Sequence, residues 1–249
     1  MTFSIIARDP ATGSFGIAVA TKFFAVGARV PHIASGYGAV ATQALLNPLY
    51  GVDGLKLLRE GKSAPEIVRL LVAADTGRDH RQLHVIDAAG RVVAHTGAQC
   101  VTWCGHLEGQ GCSVAGNMLA GEQVIEETAA GYAANAALSF PRRLIAALKA
   151  GEAAGGDKRG KQSAALRIHG EEEWSDLDLR VDDHPDPLAE LERLERVSRE
   201  HWMHFRKFLP SRRDPVGTTD RAVINAEIAK ALAPTLTLPR KRGREGRGT

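Results

Sequence analysis

The sequence predicts a layered α+β domain, and three observations lead there. Two alternating apolar runs at the N-terminus are joined by turn chemistry. Strand-like and helix-like segments then follow in blocks, not in regular βαβ alternation. The 249 residues, 44% hydrophobic and 24% charged, suffice for one large core. Aromatic residues make up only 5%, so Leu, Ile, Val and Ala carry that core.

Residues 2–9 and 14–21 mix β-formers with period-two polarity, and Asp9-Pro10-Ala11-Thr12-Gly13 between them has Pro early and Gly late. This is a hairpin. Further strands are expected at 28–34 and 37–43, followed by helices at 53–60 and 63–74. The second helix opens on Ser63-Ala64-Pro65-Glu66, a capping box with proline in the first turn. Residues 81–86 and 92–96 flank Asp87-Ala88-Ala89-Gly90 as a second hairpin. Two Ala-rich helices near 121–136 and 139–152 precede strands at 162–169 and 177–181. A charged helix from Asp186-Pro187-Leu188 to about Phe208 carries Leu188, Leu191, Leu194 and Val197 as a packing stripe, with Trp202, Phe205 and Phe208 near its end. A weaker helix covers 218–232. The expected domains are 1–185, a helical extension over 186–233, and a disordered basic tail over 234–249. The exposed stripe of the long helix predicts a homodimer.

The net charge of +3 is misleading, because the last ten residues hold five cations and one carboxylate and leave −1 on the other 239. That tail has no interleaved aromatics for stacking on bases, so no nucleic-acid partner is expected. No apolar run approaches the roughly 20 residues of a membrane span, and the N-terminus lacks a basic-then-apolar signal. The expectation is a cytoplasmic protein with no membrane partner.

Three chemistries compete. Cys100, Cys104, His106 and Cys112 offer zinc-type ligands within one loop, but lack the C-x₂-C knuckle of zinc motifs, so no metal is expected. Gly155-Gly156-Asp157-Lys158-Arg159-Gly160-Lys161-Gln162 lacks the phosphate-loop pattern and enters a strand instead of a helix. It reads as a turn at a site rim. The third chemistry lies at the start of the chain. Removal of Met1 would leave Thr2 with a free α-amine, of pKa about 8, beside its own hydroxyl, a nucleophile and base in one residue. Ser4 is its rival, because residues two apart on a strand share a face.

The opening hairpin, GYGAVATQ at 36–43, RVVAHTG at 91–97, SVAGNML at 113–119, GGDKRGKQSAAL at 155–166 and DLRVDDHPDPLAEL at 178–191 together resemble one bacterial family, domain of unknown function ten-twenty-eight. The likeness spans about residues 2–195. It implies a four-layer αββα sandwich of the N-terminal-nucleophile (Ntn) hydrolase type, with C-terminal helices added here. It also implies an amidohydrolase acting on a small amide or peptide-like metabolite without a cofactor. Carried over by position, Thr2 is the nucleophile and Lys22 the cation that lowers the pKa of its amine. Asn117 is then the oxyanion donor, while Thr42, Gln43, Asp157 and Arg159 bind substrate. The alternative is a non-catalytic ligand- or partner-binding protein on the same fold.

Overall fold

A computed structural model describes residues 2–233. Met1 and the tail expected at 234–249 lie outside the described residues. The N-terminal hairpin forms as anticipated. β1 (Thr2–Arg8) and β2 (Phe15–Thr21) pair antiparallel, with Ile6 opposite Ile17 and Ser4 opposite Val19. After a 3-10 turn at Val26–Ala28 come β3 (Pro31–Ala34) and β4 (Gly38–Ala44). The helix expected from 53 starts earlier, as α1 (Leu49–Arg59), because the Asn47 carboxamide accepts the Leu49 N–H at 3.1 Å. In α2 (Ala64–Ala74) Glu66 accepts the Ser63 N–H at 3.0 Å, the capping arrangement anticipated from the sequence.

β5 (Arg81–Asp87) and β6 (Val92–Thr96) form the second hairpin. The cysteine segment is not one loop. It contains β7 (Gly105–Gly109) and the start of β8 (Cys112–Asn117). β7 is an edge strand with exposed central residues, so it carries no apolar alternation to mark it. There follow α3 (Gln123–Ala134), α4 (Phe140–Ala153), β9 (Ser163–His169), β10 (Leu177–Val181) and α5 (Pro187–Ser198).

The strands make two antiparallel sheets, β10-β9-β2-β1-β8-β7 and β3-β4-β5-β6. Helices α1 and α2 lie on the smaller sheet and α3 and α4 on the larger, and the two sheets pack against each other. One apolar cluster fills the space between the sheets, including Ile6, Phe15, Ile17, Ile33 and Ile86. A second joins the small sheet to its helices through Val40, Leu58, Ile67 and Leu83.

The described residues divide into two compact units after Val197. The long terminal helix is interrupted. α5 ends at Ser198, and α6 (Trp202–Phe205), a 3-10 turn at Arg206–Phe208 and α7 (Arg221–Leu232) belong to the second unit. Leu188 and Leu191 are buried within the chain, so of the predicted stripe only Val197 is exposed and Leu194 partly so. Among the described residues no helix is long and apolar enough to cross a membrane.

Candidate functional site

Strand geometry selects the site. Thr2, Ser4 and Ile6 point from β1 into the space between the sheets, and register places Asn117, Ala115 and Ser113 of β8 directly beside them. From the opposite sheet come Gln43 on β4 and Gln82 and His84 on β5, all buried. The apolar filling of the sheet interface thus gives way to hydrogen-bonding side chains at the end where β1 begins.

These groups form one connected network. The Ser4 hydroxyl donates to Gln43 Oε1 at 2.7 Å and lies 3.0 Å from His84 Nε2. Gln43 Nε2 donates to Gln82 Oε1 at 2.8 Å and to the Ala115 carbonyl at 3.1 Å. Asn117 Nδ2 donates to the same Gln82 Oε1 at 3.0 Å. Since Ser4 has one proton and gives it to Gln43, His84 Nε2 must carry the hydrogen. Nδ1 is then the acceptor facing the Ser113 hydroxyl at 3.1 Å. Burial pushes the His84 pKa down to about 3, with nearby His106 adding to the effect, so the imidazole is neutral. A ring with its proton already on Nε2 cannot take one from Ser4.

Thr2 and Gln43 border open space, whereas Ser4 does not. Thr2 borders a cleft of about 480 Å³ together with Thr21, Gln43, Leu45, Val30 and Arg29, and its Oγ1 is 3.2 Å from Thr21 Oγ1. Most of the wall is apolar, and among the described residues Arg29 is its one charged member. A smaller cavity of about 270 Å³ shares Ala44 and Leu45 with this cleft and is lined by Asn117. Ala44 and Met118, at φ 69° and 54°, hold left-handed backbone there. Strained non-glycine residues of this kind persist where the surroundings over-determine them and gather at binding sites.

A model of the family of unknown function DUF1028 matches residues 2–191. The chain belongs to this family. Its fold is similar to the crystal structure of protein SPO2555 from Silicibacter pomeroyi, also of DUF1028, with a TM-score of 0.82 and 33% identity over 88% of this chain and 96% of that one. No curated protein matches the sequence.

In this DUF1028 chain the residues singled out from sequence separate into two groups. Thr2, Ser4, Gln43 and Asn117 come together at the sheet interface. The other four do not line the cleft. Lys22 is exposed, and its Nζ lies 3.4 Å from the Lys161 carbonyl. Thr42 points to the other face of β4 and donates to the Asn47 carbonyl at 3.2 Å. Asp157 is buried and accepts from the Lys22 N–H at 2.9 Å and the Arg159 N–H at 2.8 Å. Arg159 closes on the same carboxylate at 3.2 Å, so this pair braces the 157–160 turn against the end of β2.

Gln82, His84 and Ser113 were missed by sequence reasoning. Their signal was present as polar residues at alternate positions of strands, but that pattern equally describes a solvated face. The three cysteines are free. Cys100 and Cys104 donate to the Arg81 and Cys100 carbonyls, and His106 Nδ1 lies 2.8 Å from Thr96 Oγ1.

Proposed function

We propose that this protein is an N-terminal-nucleophile amidohydrolase with Thr2 as nucleophile. The observation that carries this reading is the position of Thr2 at the head of β1, beside the buried polar network and on the wall of a cleft of substrate size. The layering of helices outside two packed antiparallel sheets agrees with the αββα sandwich of such enzymes.

With Met1 removed, the freed α-amine takes the proton from Thr2 Oγ1 as that oxygen attacks the amide carbon. The carbonyl oxygen becomes an oxyanion, for which the second N–H of Asn117, paired with Thr2 across the strands, is the amide donor. The amine then passes its proton to the leaving nitrogen, giving an ester on Thr2 and a free amine product. Water, deprotonated by the same amine, hydrolyses the ester. The Thr21 hydroxyl holds Thr2 in one of its staggered rotamers throughout. The apolar wall and the single rim cation suit an amide with an apolar body and an anionic end, the carboxylate pairing with Arg29.

The test is a mass measurement joined to turnover. The purified protein should lack one methionine, and it should hydrolyse anilides of apolar acids that carry a terminal carboxylate. Thr2→Val keeps the β-branched shape, so it should fold normally and lose about a thousandfold or more in rate. Full retention of Met1, or unchanged turnover in Thr2→Val, overturns the assignment. The first result would favour the ligand-binding alternative on the same fold.

A further inference from the structure

A third cavity, of about 410 Å³, lies at the other end of the same strands from the Thr2 cleft, bordered by Arg8, Arg143, Tyr132, Gln110, Gly90 and Gly111. Thr2 and Arg8 occupy opposite ends of β1, six residues apart and so separated by about 20 Å. This cavity and the Thr2 cleft share no residue.

The chemistry of this cavity is cationic without compensation. Arg8 and Arg143 are both half-buried, and among the described residues neither forms an ion pair with a carboxylate. Arg8 Nε is fully buried and has no hydrogen-bond partner at all. Arg143 uses Nε on the Tyr132 carbonyl at 2.7 Å and lays its guanidinium 3.7 Å above the Tyr132 ring, which fixes its plane and leaves its terminal amines unengaged. The nearby Asp9 carboxylate accepts from the Ala11 N–H and the Thr12 hydroxyl and forms no ion pair. Two half-buried cations that line one cavity with no carboxylate between them repel each other, and an anionic occupant relieves that repulsion.

The cavity is also built to admit one closely. Gly90 and Gly111 sit at φ 78° and 70° in the turns on either side, where a side chain would be strained, so the backbone stays bare. Burial pushes the Tyr132 pKa up to about 12, so its phenol stays protonated and uncharged near neutral pH.

We infer that this cavity is a binding site for a phosphate dianion, free or as the phosphoryl end of a small metabolite. Two guanidiniums match the charge of a phosphate near pH 7, and their planar forks suit its oxygens better than a single carboxylate would. The space exceeds that of the bare ion, which leaves room for an organic portion.

The site is independent of Thr2 chemistry, and so is its test. Full-length protein is titrated by calorimetry with inorganic phosphate, glycerol phosphate and acetate in a phosphate-free buffer of constant ionic strength. Saturable phosphate binding with a Kd of about 1 mM or below is expected, and acetate should bind at least tenfold more weakly. Arg8→Gln should weaken phosphate by about tenfold or more, and Arg8→Lys by less. Without phosphate, Arg8→Gln should melt no lower than the parent, since it removes an unpaired cation. Thr2→Val should bind phosphate unchanged. Tighter binding of glycerol phosphate than of phosphate identifies a phosphoryl metabolite as the occupant, and equal binding identifies the free ion. The inference is overturned if phosphate gives no saturable heat, if acetate binds as well, or if Arg8→Gln binds phosphate like the parent.

Discussion

Ser4 and Thr2 share a face of β1 and differ in what they meet there. Ser4 is wholly buried, donates to Gln43 and accepts from His84, whereas Thr2 borders the cleft. The two residues therefore predict opposite outcomes. Ser4→Ala should keep turnover while leaving Gln43 Oε1 and the His84 Nε2–H without buried partners, a loss of about 1–3 kcal/mol in urea denaturation. Loss of turnover with unchanged stability in that variant would exchange the roles of the two hydroxyls. Sequence alone could place both on one face, because strand periodicity is a local property. It could not rank them, because accessibility depends on Gln43 and His84, which lie 39 and 80 residues away.

At the scale of elements, the helices and hairpins with strong local signals were legible. The Ser63–Glu66 cap marked α2, and the turns at 9–13 and 87–90 marked two hairpins. The signal failed where tertiary packing substitutes for local preference. β7 is an exposed, glycine-flanked strand held by pairing with β8 and by hydrogen bonds from Gln82 and the Ala94 N–H, none of which is a local signal. Likewise Asp157 resembles a substrate ligand until the Lys22 backbone, 135 residues away, is found donating to it. Helix packing gives a further prediction. At Gly151 of α4 an added Cβ would run into Thr128 of α3 and stand 3.1 Å from Phe3 of β1 and from the Val124 carbonyl. That glycine lets α3, α4 and β1 approach one another, and two of the three obstacles are a core aromatic ring and backbone. Gly151→Ala should therefore cost about 2 kcal/mol by urea denaturation despite the better helix propensity of alanine. A neutral or stabilising result would mean that the three elements can separate without loss.

In the whole molecule, the space between the sheets is graded from an apolar centre to a polar end, and that grading couples folding to pH. His84 sits in the polar end with no contact to solvent and with its pKa lowered to about 3 from 6.5. In the unfolded chain the same imidazole binds a proton near pH 6.5, so below that pH the unfolded state takes up protons that the folded state refuses. Stability is therefore full above about pH 7 and declines as pH falls through 6.5 toward 3. For this single group the loss between pH 7.5 and pH 5 is about 2 kcal/mol. His32, His106 and His169 are shifted down by burial as well, so they add to the loss and none offsets it. Burial works against the Asp75 carboxylate, but hydrogen bonds from Asn47 and the Gly77 N–H outweigh it and hold its pKa below the usual range. Its titration lies below this window. Urea denaturation at pH 7.5 and pH 5 should show the decline, and His84→Gln should reduce it by about half or more. Should that variant fold poorly, nitrogen NMR of the parent gives the same answer, since the His84 ring must remain neutral at pH 5. A ring that titrates near 6.5 in the folded protein would mean that the sheet interface admits water, and the network at Ser4 and Gln43 would then lose the tautomer on which its hydrogen bonds depend.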